Sequence, residues 1–147
     1  MRKLFILFAV ALFSALPMAA QVSQIVGDWV TVDDKTQEQR SVVHIYKATD
    51  GLYYGKITKL LVGDPNEKCT ACTGADKDKP VQGLIIIRGF EEKDGKLVSG
   101  EKGRVLDPEN GKTYYGKIWV ENGKLILRGS LDKKGLLGRS QTWIKKK

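Results

Sequence analysis

Beyond about residue 25 the chain is divided into short segments by glycine-, asparagine- and aspartate-rich turns. The turns are Asp50-Gly51, Asp94-Gly95, Asp107-Pro108-Glu109-Asn110-Gly111, Asn122-Gly123 and Asp132-Lys133-Lys134-Gly135. These residue types accept the positive φ that tight turns demand. The segments between them alternate apolar and polar residues with a period of two, and no amphipathic helical period stands out. They predict strands over Val26–Val32, Arg40–Ala48, Leu52–Leu61, Gly83–Glu91, Lys96–Leu106, Lys112–Glu121, Lys124–Leu131 and Gly138–Lys145. Eight short strands at this spacing predict an all-β chain, a barrel or a sandwich.

Two turns fix their hairpin registers. Asn122-Gly123 suits a two-residue type I′ turn, which pairs Glu121 with Lys124, Val120 with Leu125, Trp119 with Ile126 and Ile118 with Leu127. Tyr114, Gly116, Ile118, Val120, Leu125, Leu127 and Gly129 then share one uncharged face. Thr49-Asp50-Gly51 suits a three-residue loop that places Val43, Ile45, Tyr53, Gly55 and Ile57 together. The sequence Tyr-Tyr-Gly-Lys-Ile occurs at residues 53–57 and again at 114–118. The unmatched flanks favour convergent use of a strand pattern over duplication. Gly55 and Gly116 fall on the inner faces beside Tyr53 and Tyr114, where missing side chains could leave room for a ligand. Tyr53, Gly55, Ile57, Tyr114, Gly116 and Ile118 are therefore the candidate ligand-facing residues.

The N-terminus is read separately. Met1-Arg2-Lys3 is followed by an apolar run to Leu16, then Pro17 and the small residues Ala19-Ala20. That is the layout of a secretory signal peptide, with the expected cut after Ala20. The run is shorter than the ~20 residues of a membrane span. Residues 1–20 are thus expected to be removed, leaving 21–147 as a single domain with no transmembrane segment, periplasmic or secreted. Loss of Arg2 and Lys3 lowers the formal net charge from +8 to about +6. An exported basic domain can meet anionic head groups or acidic polymers. Export argues against nucleic acid as a partner, although Tyr115 and Trp119 interleave with Lys117 and Arg128 on one outer face.

The long loop 62–82 breaks the strand rhythm and carries Cys69-Thr70-Ala71-Cys72. In an oxidising compartment a disulfide is the first expectation. So small a ring contributes little through chain entropy, so the bond would serve to shape the loop. A redox pair and a zinc site are the alternatives. The first calls for a helix N-terminus to depress a thiolate pKa, and the second for four ligands. His44 is the single histidine, and no Gly-x-Ser-x-Gly or His-Glu-x-x-His occurs. No catalytic residue, metal or cofactor is predicted.

Taken together, several landmarks carry a resemblance. They are Val26-Gly27-Asp28-Trp29, Asp50-Gly51-x-Tyr53-Tyr54-Gly55-Lys56-Ile57, Lys79-Pro80-x-x-Gly83, residues 106–114 (Leu-Asp-Pro-Glu-Asn-Gly-Lys-Thr-Tyr) and the closing Leu137-Gly138-Arg139-Ser140-Gln141-Thr142-Trp143. The chain resembles the bacterial exported family called domain of unknown function 2147, over about residues 25–145. The resemblance implies a β-rich envelope domain without an established activity, and it carries no role for Cys69 and Cys72. Gly27-x-Trp29 on the first strand with Arg139 on the last is also similar to the lipocalin-like arrangement. That likeness implies a small antiparallel eight-stranded barrel, closed at one end by Trp29 with Arg139 packed across it and Trp143 nearby. A plain core role for the two tryptophans is the simpler alternative.

These features fit three functions. The first is a barrel that binds a small hydrophobic or envelope-derived ligand. The second is an envelope interaction or structural protein that uses its outer aromatic and basic face. The third is a thiol redox or zinc protein that uses Cys69 and Cys72.

Overall fold

The computed structural model describes residues 15–147. The basic start and most of the apolar run of the expected signal segment lie outside the described residues. Nine strands follow a short helix: α1 (Met18–Ser23), β1 (Gly27–Val32), β2 (Gln39–Lys47), β3 (Tyr53–Leu60), β4 (Ile85–Lys93), β5 (Lys96–Val98), β6 (Arg104–Leu106), β7 (Thr113–Glu121), β8 (Lys124–Ser130) and β9 (Gly138–Lys145). Every pairing is antiparallel, and β3–β4 and β1–β9 pairing closes the sheet on itself. The result is an eight-stranded barrel, because β5 and β6 both lie between β4 and β7 and fill one strand position.

The expected strand 96–106 is broken at residues 99–103. Gly100 takes φ +56°, and the Gly103 amide returns to the Ser99 carbonyl at 2.7 Å. The Ser99 hydroxyl accepts the Gly116 amide at 2.9 Å, so β7 keeps its partner across the break. Elsewhere the expected registers hold. Glu121 faces Lys124 and Ile118 faces Leu127 across Asn122-Gly123, whose φ angles of 51° and 73° are both positive. The Ala48 amide bonds to the Leu52 carbonyl and leaves residues 49–51 as the loop, with Gly51 at φ +83°. The helix α1 was not expected, because a run of six residues is too short to display a period. It spans the expected cleavage position.

The two ends of the barrel differ. At one end α1 and the segment after it bury Val22 and Ile25 against Trp29. The Trp29 indole, 1% exposed, donates from Nε1 to the Ile25 carbonyl at 2.7 Å. Above this plug, Val43, Ile45, Phe90, Leu97, Ile118 and Leu125 fill the lower half of the barrel. The room expected beside the inner glycines is occupied. A Cβ on Gly55 would stand 2.7 Å from Ile87 Cδ1, and one on Gly116 would stand 2.7 Å from Phe90 Cζ. These glycines admit large neighbouring side chains; they do not make a cavity.

The closure expected from Arg139 is also corrected. Trp29 pairs with Lys145, whose Nζ lies 4.5 Å from the indole centroid. Arg139 is exposed, opposite Gly129. β9 runs antiparallel to β1, so its last residues accompany the start of β1. Arg139 lies six residues earlier, roughly 20 Å along the strand, at the other end of the barrel.

Candidate functional site

At that other end four connections meet: β1–β2, β3–β4, β6–β7 and β8–β9. They surround a cavity of about 760 Å3. Its apolar lining comes from the upper inner faces of the strands, with Ile57 from β3, Ile86 from β4, Val105 from β6, Leu127 from β8 and Trp143 from β9. Each of these side chains is at most 8% exposed. Polar groups collect at the rim, among them Arg40, Glu109, Asp33, Gln141 and Arg139. An apolar bowl with few polar groups above it is the usual form of a small-molecule site, and the volume falls within the usual range.

The rim charges are unevenly engaged. Arg40 bonds to Glu109 across the mouth at 3.0 Å and lies 3.6 Å from Glu38. The Asp33 carboxylate accepts the Lys35 and Thr36 amides at 2.9 and 2.8 Å, and the Thr36 bond leads in holding its pKa below the ordinary value. Asp107 accepts the Glu109 amide at 2.9 Å. Arg139 takes part in none of the ion pairs among the described residues.

One wall of the mouth is the long loop 62–82. Cys69 and Cys72 form a disulfide with a Cα–Cα distance of 5.3 Å, and both are buried. Sulfurs joined to each other present neither a thiolate nucleophile nor a thiolate ligand. The bond sits in a hairpin-like fold: the Cys69 amide meets the Lys79 carbonyl at 2.8 Å and the Val81 amide meets Glu67 at 2.9 Å. Arg88 on β4 holds Asp76 at 2.8 Å, and its guanidinium keeps that carboxyl below its ordinary pKa. Ala71 touches the β6–β7 turn so closely that a Cβ on Gly111 would lie 1.9 Å from its carbonyl oxygen. The loop is thus packed down as a wall, with Glu67 and Val81 facing the cavity.

Of the residues expected to face a ligand, Ile57 and Tyr114 line the cavity. Tyr53, Gly55, Gly116 and Ile118 lie in the packed lower half or beside it. Tyr53 Oη instead reaches Glu92 at 3.3 Å. Trp143, expected near the closed end, is buried and forms part of the cavity lining. Leu127 and Gly129 were on the predicted inner face but were not singled out. Ile86 could not be found by alternation. Both Ile86 and Ile87 are buried, because the β3–β4 register shifts between Gly55 and Lys56. On the outside, the rings considered as a stacking surface each carry a cation: Lys96 Nζ lies 5.0 Å from the Trp119 centroid and Arg104 lies 4.0 Å from that of Tyr115.

The two cations that matter for closure and mouth should separate in denaturant melts. Lys145→Ala loses the contact over Trp29 and is expected to cost roughly 0.5–1 kcal/mol. Arg139→Ala should stay within about 0.5 kcal/mol of wild type, as exposed positions do. A larger loss for Arg139→Ala than for Lys145→Ala would contradict this assignment.

Comparison with known proteins agrees with the architecture. No curated protein matches the chain. A solved structure, described as protein HP1028 from the human pathogen Helicobacter pylori and as belonging to the lipocalin family, superimposes with a TM-score of 0.70 at 18% sequence identity. The match covers 83% of this chain and 82% of that one. At that identity the likeness concerns the fold, which is lipocalin-like. The family model for an uncharacterized protein conserved in bacteria (DUF2147) matches residues 27–145, from the first residue of β1 to the last of β9, and the chain belongs to that family.

Proposed function

We propose that this is an exported envelope protein that holds one small, largely apolar molecule in the open end of its barrel. The observation that carries the reading is the cavity of about 760 Å3, floored by Ile57, Ile86, Val105, Leu127 and Trp143. An eight-stranded barrel has room for side chains or for one small ligand. Here the lower half is filled and the upper half is left open. Among the described residues Arg139 stands at the rim without a carboxylate partner, so an acidic end-group on the bound molecule would meet a guanidinium there. Export is supported by the signal-like start and by the Cys69–Cys72 disulfide, a bond that persists in oxidising compartments. Among the described residues no helix is long and apolar enough to cross a membrane.

Gly129 provides a direct test. It lines the cavity, and a Cβ added there would meet only Tyr114 Cβ at 3.8 Å, an ordinary contact. Gly129→Leu should therefore fill the cavity and leave the melt close to wild type. With 1-anilinonaphthalene-8-sulfonate as the probe, wild type should show saturable fluorescence that Gly129→Leu reduces at least tenfold. Arg139→Ala should weaken it several-fold. Equal binding by wild type and Gly129→Leu would refute occupancy of this cavity. Native mass spectrometry of protein purified from its own envelope would then report the mass of the natural ligand.

A further inference from the structure

The β8–β9 turn bears three leucines that the fold leaves in water. Leu131, Leu136 and Leu137 are 67%, 75% and 67% exposed. Nothing about this turn is slack. The Asp132 carboxylate accepts the Leu137 amide at 2.6 Å and the Leu136 amide at 3.0 Å. Those bonds hold its carboxyl below the ordinary aspartate pKa. From beneath, Arg128 donates from Nε and Nη2 to the Gly135 carbonyl at 3.0 and 2.7 Å, and the Ser130 hydroxyl donates to the Asp132 carbonyl at 2.8 Å. These bonds therefore fix the backbone on which the exposed leucines stand. Such a cluster of exposed apolar side chains on a soluble surface marks a contact site.

We infer that this turn is a membrane-docking lip, which inserts its leucines into an anionic lipid surface and sets the cavity mouth against the head groups. The inference rests on the cavity reading only for what docking would deliver; the docking surface itself stands on the turn. Its charge fits an anionic bilayer. Lys133 and Lys134 lie between the leucines, with Lys133 bonded to Glu101 across the surface. Asp132, the acid of the turn, is spent on its two backbone amides. The acids of the mouth lie on its other connections: Asp33 and Asp34 in the β1–β2 turn and Asp107 and Glu109 in the β6–β7 turn, on either side, and Glu67 in the long loop opposite. The β8–β9 turn is thus the basic and apolar segment of the mouth, set between two acidic turns, which suits entry of that one lip. Leu131 and Leu137 belong to the cavity lining as well as to the exposed patch, so the apolar surface runs from the lip into the bowl. A second copy of the chain is a poorer occupant. Three side chains fall well short of the roughly 800 Å2 per partner that a stable protein interface buries. Apolar contact with basic side chains around it is the physical basis of interfacial membrane binding.

The test is cosedimentation of the signal-free chain with vesicles of phosphatidylglycerol and phosphatidylcholine, and with phosphatidylcholine alone. Binding is expected to the anionic vesicles, at least tenfold weaker to the neutral ones, and weakened by added salt. Leu136→Asp should reduce anionic-vesicle binding at least tenfold. Leu136 is outside the cavity lining, so this variant should keep wild-type fluorescence with the sulfonate probe. Lys133→Glu/Lys134→Glu should reduce vesicle binding several-fold. Gly129→Leu should lose the probe but keep the vesicles, which separates failure of the cavity from failure of the lip. Absence of wild-type binding to anionic vesicles would overturn the inference. So would equal binding by Leu136→Asp, which would place the contact on the general basic surface. A lipid-free dimer dissolved by Leu136→Asp would assign the leucines to a second copy instead.

Discussion

Trp29→Ala should destabilise the barrel by about 4 kcal/mol, the range observed for removing a large buried aromatic side chain. Three losses coincide at this position. The indole is 1% exposed and packs against Val22 and Ile25, so its removal leaves a void beneath the plug. The Ile25 carbonyl loses its bond from Nε1 at 2.7 Å. Lys145 loses the ring beneath its ammonium. Trp29→Phe keeps an aromatic face but not the donor, and should cost roughly 1–3 kcal/mol. Urea melts of the two variants measure both values. The site lies at the end away from the cavity, so Trp29→Phe should still bind the sulfonate probe like wild type. A loss below about 2 kcal/mol for Trp29→Ala would mean that α1 and its flank do not seal the barrel in solution.

What could be read from the sequence was local. Asn122-Gly123 sets a register in which alternate cross-strand pairs face inward, and Leu125, Leu127 and Ile118 are buried as that register requires. The same logic brings Ile57 and Tyr114 to the cavity wall. The hollow half of the barrel was not legible, because it depends on side-chain volumes across the interior. Ile87 leans into the space above Gly55, and Phe90 with Val105 into that above Gly116. Alternation identifies the inner face but not who fills it. Arg139 was misplaced for a different reason. The lipocalin-like resemblance implies a closing Arg on the last strand, but the direction of β9 carries Arg139 to the other end. Antiparallel pairing of the first and last strands already puts Lys145, not Arg139, beside Trp29. Of the exposed leucines of the β8–β9 turn, Leu131 ends an expected strand, and Leu136 and Leu137 fall between expected strands. Their backbone is fixed by the Asp132 and Arg128 bonds, which no pattern of apolar residues encodes.

Gly103→Ala should be strongly damaging, at roughly 3 kcal/mol, the upper part of the range for overpacking a tight site. A Cβ there would stand 2.5 Å from the Ser99 carbonyl oxygen, 2.6 Å from that of Gly89 and 2.9 Å from that of Arg88. All three atoms are backbone, so the clash cannot be relieved by rotating a side chain. Relief requires separating the 99–103 turn from β4, and that turn is where β5 gives way to β6. The Ser99 hydroxyl that caps Gly116 would move with it. Gly116→Ala is the informative contrast. Its added methyl meets Phe90 and Val105 side chains at 2.7 and 2.8 Å, which can repack, so a loss of about 1–2 kcal/mol is expected. Gly51→Ala adds a methyl into open space and should cost about 1 kcal/mol, from the positive φ alone. The order Gly103 above Gly116 above Gly51 in urea melts is the expected result. It ranks the three by what surrounds the missing side chain, which the sequence does not display. A Gly103→Ala barrel as stable as Gly51→Ala would mean that the β5–β6 break is loose in solution and that the strand can take its uninterrupted form.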